Sequence, residues 1–212
     1  MQSTAQISGD LHVAKIRARY ELSSNNIADN DRDAFIEELL ICLNDPRSAT
    51  PDAFEIYGIS TLVDFLTKSH AFYLEYAIPS IQRSINELLR THPENRVLRK
   101  VSEILMQGFI SDLENHFIHE ENYLFKYALR LSSNPVSLPF PYSIDQFRKE
   151  HGAFLVDIDK VIAFFEMYQN DLSDNMAYRM VVQQLANLKA DMDLHGLIED
   201  EVLLPKIEKL ES

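Results

Sequence analysis

The chain has 212 residues, of which 46% are apolar, so it is long enough for one large domain with a substantial core, with or without a small appendage. Five glycines and eight prolines are too few for an all-β chain, which needs a turn every 8–12 residues or so, and they favour long helices. The formal net charge of −13 argues against nucleic acid as a partner, because phosphate binding depends on lysine and arginine.

The single cysteine, Cys42, excludes an internal disulfide framework and a thiolate zinc cluster. The first twenty residues lack the apolar stretch of a signal peptide, and no apolar run of 18 residues occurs elsewhere. We therefore expect a cytoplasmic, mainly helical protein that makes no membrane contact.

Residues 1–57 are predicted to form a small helical appendage. Two short amphipathic stretches, 11–22 and 33–43, are separated by a polar segment, and the second is followed by a cluster of turn-forming residues. Cys42 falls on the apolar side of the second stretch, where we expect it to be packed rather than reactive.

Residues 58–212 are predicted to form an all-α, antiparallel four-helix bundle. Apolar residues recur at helical spacing in four segments, near 60–90, 93–132, 143–170 and 176–205, with short connections inside each hairpin and a proline-rich loop between the hairpins. We expect Pro79 to kink the first helix and Pro93 to occupy the first position of the second.

Polar residues interrupt the apolar stripe of each predicted helix. Every stripe contains one histidine, and two stripes add a glutamate four residues later, where it points into the same volume as the histidine. The six candidate metal ligands are His70, His116, Glu120, His151, His195 and Glu199.

A single core histidine commonly bonds a neighbouring carbonyl, but that explanation fails for the set of six. Bringing four imidazoles and two carboxylates into one core costs several kcal/mol for each uncompensated ion. A chain with a charge of −13 has few cations to neutralise them. A metal centre removes this cost.

The spacing of the histidines places them at a common height in the bundle. His70 precedes the turn at Thr91 by 21 residues and His116 follows it by 25, while the second hairpin has 22 residues on each side of Ser173. At about 1.5 Å per residue, the histidines of a hairpin lie within about one helical turn of each other. Two imidazoles and one carboxylate from each hairpin suit two metal ions about 3.5–4 Å apart, with the glutamates bridging. Such donors leave iron, manganese and zinc open.

The sequence around both His–Glu pairs resembles the hemerythrin-like superfamily, and within it the di-iron proteins of the RIC type, for repair of iron centres. The segments 116–125 and 195–205 are similar to the family's His-x-x-x-Glu segments and the apolar residues that follow them. His70, with Tyr73 and Pro79, resembles the first ligand helix, and Glu150-His151 resembles the third. The likeness covers residues 59–208 or so.

This resemblance implies a non-haem, oxo-bridged centre of two iron ions, with other divalent metals possible. It implies a protein that binds or reacts with oxygen, nitric oxide or peroxide, or that releases iron, in a stress response or in iron homeostasis. The four histidines would be terminal ligands, and Glu120 and Glu199 would bridge. Whether turnover occurs and whether the chain is oligomeric stay open.

Other interpretations are a sensor, an oxidase and a structural bundle. In a sensor of oxygen, nitric oxide or iron, the N-terminal segment would relay the state of the site to a protein partner. A ferritin-like oxidase would use Glu-x-x-His, the reverse order and a shorter spacing. A metal-free structural bundle is the remaining alternative.

Several residues near the candidate ligands are predicted to have other roles. Tyr73 and Tyr123 are expected to be core aromatics on the buried stripes. His119 lies about 60° around the helix from His116, which favours a position on the flank rather than a metal ligand.

Overall fold

The computed structural model describes residues 29–133, Ile144, Phe147 and 158–211. Within those ranges every regular element is helical and none is a strand, which confirms the all-α class. Three stretches are helical without interruption, and we call them the 59–91, 96–133 and 176–211 helices. The remaining elements are Asp29–Asn44, the 3₁₀ turn Pro46–Ser48, Pro51–Glu55, Ile158–Glu166 and Gln169–Leu172.

Each of the three long helices contains one π-helical segment. The 59–91 helix comprises Ile59–Phe72, Tyr73–Ala77 (π) and Ile78–Thr91. The 96–133 helix comprises Arg96–His119, Glu120–Leu124 (π) and Phe125–Ser133. The 176–211 helix comprises Met176–Gly196, Leu197–Leu203 (π) and Leu204–Glu211.

Two long helices begin at an asparagine cap. The Asn95 side chain accepts a hydrogen bond from the backbone N–H of Leu98 at 2.9 Å, and the Asn175 side chain accepts one from Tyr178 at 3.1 Å. The helix therefore begins at Arg96, and the prediction that Pro93 occupies its first position is wrong by three residues. The Asn95 side chain accepts a hydrogen bond from a free N–H of the first turn, whereas a proline side chain has no hydrogen-bond acceptor.

Two prolines lie inside the long helices without ending them. A proline in an α-helix clashes with the carbonyl four residues earlier. Pro79 and Pro205 each come two residues after a π-helical segment, and the N–H of the intervening residue bonds to the carbonyl five residues back. The wider turn accommodates the proline ring, so the structure has a π-helical turn before Pro79 where a kink was predicted. The last helix likewise runs past Pro205 to Glu211.

The described residues fall into two compact units. The first contains residues 29–70, 125–133 and 190–211. In this unit an aromatic cluster is centred on Phe35, whose ring contacts Phe54, Tyr57 and Phe65 edge-on at centroid distances of 5.6, 4.7 and 5.3 Å. The Asp29–Asn44 helix is thereby packed on the helix that carries His70. The proposed boundary between an appendage and a bundle at residue 57 stays a prediction.

The second unit contains residues 71–124, Ile144, Phe147 and 158–189. Two side-chain hydrogen bonds join its first and last long helices, Asn175 to Thr91 at 3.2 Å and Gln184 to Ser80 at 3.0 Å. Residue numbers rise along one helix as they fall along the other, so these two helices are antiparallel. The packing is that of a helical bundle.

Cys42 is buried, as predicted, and desolvation by burial raises the pKa of its thiol. No helix in the described part of the chain has the length and apolar character needed to cross a membrane.

Candidate metal centre

Burial separates the candidate ligands from ordinary helix-face charges. His70, Glu120, His195 and Glu199 are each at most 6% exposed, and His116 is half-buried. His151, together with Glu150, lies outside the described residues, so the structure places five of the six candidates. Four of those five are in the interior, where an ionisable side chain needs compensation.

The first unit brings three of the candidates together. Nε2 of His70 lies 3.4 Å from Nε2 of His195, and the two rings are 5.0 Å apart between centroids. Nε2 of His195 also lies 3.5 Å from Oε2 of Glu199. Residues separated by 125 positions in sequence thus present imidazole and carboxylate donors to a common volume.

An aromatic ring covers one side of this group. Phe125 stacks on His70 with a centroid distance of 5.5 Å and an interplanar angle of 19°. Phe125 is itself buried and comes directly after the π-helical segment Glu120–Leu124. The stacked ring fixes the plane of the imidazole and keeps solvent away from it, which strengthens electrostatic interactions there.

The second unit contains a further histidine–glutamate pair. Nε2 of His116 lies 2.7 Å from Oε1 of Glu120, and Glu120 is completely buried. Next to this pair, Phe117 packs against Tyr73 with a centroid distance of 6.0 Å, and Tyr73 is also completely buried. The prediction that Tyr73 is a core aromatic is confirmed.

Each π-helical segment lies beside a candidate donor. One begins three residues after His70, one begins at Glu120, and one contains Glu199 as its third residue. π-Helical turns are rare in proteins and are found preferentially at functional sites. All three occur at or next to a candidate ligand, which agrees with a functional site at these helical turns.

The donor set fits a transition metal that prefers nitrogen and oxygen ligands. Two nitrogens bound to one ion at about 2.0–2.1 Å and at roughly 90–110° lie about 2.8–3.4 Å apart. The 3.4 Å separation of the His70 and His195 nitrogens agrees with this range. The chain's single thiol, on Cys42, lies in the Asp29–Asn44 helix beside Glu38, so the donors are imidazole and carboxylate groups, which suit iron, manganese or zinc.

The structure adds a buried carboxylate that the sequence analysis missed. Asp191 is 3% exposed and precedes His195 by one helical turn, so that Asp191, His195 and Glu199 follow each other at intervals of four residues. The repeated interval was readable in the sequence. An aspartate at such a position can orient a ligand histidine or neutralise a bound cation.

Two aromatic residues close to the His116–Glu120 pair in sequence, His119 and Tyr123, were predicted to have other roles. Tyr123 is 46% exposed, so its predicted core position is wrong; the π-helical turn from Glu120 changes the number of residues per turn and rotates Tyr123 outward. His119 is half-buried and stacks on Phe147 at 5.8 Å, in agreement with a flank position.

In a comparison with protein families, residues 80–207 match the hemerythrin HHE cation-binding domain. The matched range includes His116, Glu120, His195 and Glu199, while His70 precedes it. Neither the comparison with curated proteins nor that with solved structures gave a significant match. Because the matched range covers 128 of 212 residues, the chain belongs to the hemerythrin HHE cation-binding domain family.

Proposed function

We propose that the protein is a non-haem di-iron protein in which His70, Glu120, His195 and Glu199 hold the metal together with His116 and His151. The observation that carries this proposal is the buried group of His70, His195 and Glu199, with ring nitrogens 3.4 Å apart and a carboxylate oxygen 3.5 Å from one of them. His70, Glu120 and His195 are each buried and each offers one ligand atom to a metal ion. Family membership supports a bound cation.

The free-energy cost of burying two carboxylates favours a bound metal over a metal-free polar core. A buried carboxylate without compensation costs several kcal/mol, and Glu120 and Glu199 are almost completely inaccessible to solvent. Two divalent or trivalent cations would neutralise both glutamates while using the neutral imidazoles as ligands.

The finer architecture is proposed on the same basis. We infer an antiparallel four-helix bundle of the RIC type, in which the third helix supplies His151 and the two hairpins contribute alike. The antiparallel pairing of two helices in the second unit and the matching His-x-x-x-Glu spacing in the 96–133 and 176–211 helices support it.

The proposed chemistry is binding of, or reaction with, a small oxidant such as oxygen, nitric oxide or peroxide, or release of iron under stress. A bound iron pair supplies one-electron redox chemistry and coordination positions for a small ligand. The protein's own residues set the conditions: Phe125 holds the His70 ring and excludes water, and the His116–Glu120 contact orients that imidazole. The sequence placement of Asp191 favours a similar orienting role toward His195.

Anaerobic titration of metal-free protein with ferrous iron tests this proposal. We expect saturation at two iron ions per chain and, after exposure to air, near-ultraviolet absorption typical of oxo-bridged ferric ions. A Glu199→Ala variant should bind far less iron, whereas Glu201→Ala, which changes an exposed glutamate in the same π-helical segment, should bind as the wild type does. Equal iron content in wild type and Glu199→Ala would contradict the ligand assignment.

A sensor function is the second candidate, and one contact favours it. Phe35 of the Asp29–Asn44 helix packs on Phe65, five residues before His70 in the same helix. A change at His70 can therefore be transmitted to the Asp29–Asn44 helix through a rigid helical turn. Hydrogen exchange of residues 29–44 should then differ between metal-free and iron-loaded protein; identical exchange would remove this candidate.

A further inference from the structure

The 96–133 helix carries an apolar stripe on its outer side. Three large apolar residues in its first part, Val97, Ile104 and Ile118, are 63%, 57% and 59% exposed. The opposite side of the same helix supplies core residues, including Met106 and Leu113. The stripe is therefore additional to the face that packs within the chain.

The stripe follows the spacing of a helix that packs along another helix. Its positions alternate between intervals of four and three residues, which is the spacing of a coiled-coil seam, and four of its seven positions are apolar. We call these positions the outer seam: Val97, Val101, Ile104, Gly108, Ser111, Asn115 and Ile118.

Gly108 lies near the middle of the outer seam and has no packing reason within the described chain. A Cβ atom added at Gly108 would meet no heavy atom of the described residues within 4 Å. Glycine inside a helix costs about 0.8–1 kcal/mol relative to alanine. The absence of a side chain at Gly108 would allow a second molecule to approach the helix backbone closely.

The charges beside the outer seam are distributed unequally along it. Lys100 is exposed beside its N-terminal end, and Asp112 and Glu114 are exposed beside its second half. An antiparallel copy of the same helix brings each basic end against an acidic half, whereas a parallel copy in register brings like charges together. In a two-fold dimer each favourable pairing occurs twice.

We propose that the outer seam is the interface of a symmetric homodimer, in which the same helix of a second copy packs antiparallel with its Gly108 close to Gly108 of the first. Val97 and Ile118 lie 11 and 10 residues on either side of Gly108, so Val97 of one copy faces Ile118 of the other. Because only one helix from each copy takes part, we expect a buried area at or below the low end of the range of about 1,200–2,000 Å² that is typical of stable interfaces. The dimer is therefore reversible and depends on protein concentration.

Sedimentation of the full-length protein over a range of concentrations tests for the dimer. The wild type is expected to shift from monomer to dimer as concentration rises. Ile104→Glu buries a charge twice in each dimer and should raise the dissociation constant at least about 100-fold. The control Ile56→Glu, at a residue 79% exposed outside the seam, should associate as the wild type does. A wild type that stays monomeric, or a dimer unaffected by Ile104→Glu, would overturn the proposal.

Disulfide trapping tests the direction of packing. A chain carrying both Val97→Cys and Ile118→Cys should form covalent dimers on oxidation, whereas Val97→Cys alone should not. The wild type serves as control, because its only cysteine, Cys42, is buried. Efficient trapping of the Val97→Cys single variant would indicate parallel helices and contradict the antiparallel arrangement. Helical content measured on each variant shows that it is folded.

Discussion

The His116–Glu120 and His195–Glu199 pairs have the same spacing in sequence but different surroundings. His116 is half-buried and contacts its own glutamate at 2.7 Å, whereas His195 is buried, lies 3.5 Å from Glu199 and has His70 at 3.4 Å. The π-helical turn begins at Glu120 in the first case and two residues before Glu199 in the second. Equal spacing in sequence thus produces two pairs with different histidine–glutamate distances, and the histidine of the second pair also lies close to His70.

The comparison predicts that the second pair contributes more to metal binding. Glu199→Ala should remove most of the bound metal, because it takes a carboxylate from the group that already contains two imidazoles. Glu120→Ala should also reduce metal content, but by less. Metal content measured by elemental analysis ranks the two variants, and a larger loss from Glu120→Ala would reverse the ranking.

Removal of metal should lower the stability of the folded chain. A ligand present at 1,000 times its dissociation constant adds about 4 kcal/mol to the free energy of unfolding. Addition of a chelator should therefore lower the melting temperature of wild-type protein. Glu199→Ala should show little further change with chelator, while a response equal to that of the wild type would show that the bound metal lies elsewhere.

Asp191 distinguishes the two pairs further, since it precedes His195 by four residues while the corresponding position before His116 is Asp112, which is exposed. If Asp191 orients His195, Asp191→Asn should weaken metal binding about 10–100-fold with little change in fold. Asp193→Asn, at an exposed position in the same turn, is the matched control. Competition with a chelator of known affinity measures both, and equal affinities would exclude the orienting role.

The smallest expected effect concerns the helical ends beyond both pairs. Tyr127 donates a hydrogen bond to Glu211, and burial, together with this carboxylate, raises the pKa of Tyr127 to about 12 from an ordinary value of 10.0. Tyr127→Phe should cost about 0.5 kcal/mol at neutral pH, the low end for a hydrogen bond, because Glu211 is exposed.

The raised pKa of Tyr127 also defines a pH window. The neutral phenol is favoured in the folded state, so its contribution to stability is complete below pH 10 and is lost as pH rises toward 12. Urea unfolding at pH 8 and pH 11 should show the wild type losing more stability than Tyr127→Phe. An equal loss in both would contradict the assigned cause.

The helical framework and the burial of four candidate ligands were predictable because both depend on periodicity. Apolar spacing predicted the ends of the three long helices to within three residues, except that the last helix runs six residues beyond the predicted end at Pro205, and His70 and Glu199 were identified as polar interruptions of buried stripes. The start of the second long helix was not predictable from periodicity, because it depends on the hydrogen bond between the Asn95 side chain and the backbone N–H of Leu98.

The π-helical turns could not be derived from α-helical spacing, since they change the spacing itself. The misassignment of Tyr123 follows directly from the turn that begins at Glu120. Pro79 and Pro205, inside otherwise helical patterns, were the available signals for two of the three turns. The turn at Glu120 has no such proline.

Metal content of the purified protein, measured after anaerobic loading and desalting, tests the central claim most directly. Two iron ions per wild-type chain, with a large reduction in Glu199→Ala and none in Glu201→Ala, is the result that the proposed centre predicts. Wild-type protein that retains no metal, or a Glu199→Ala variant that retains as much as the wild type, would contradict it.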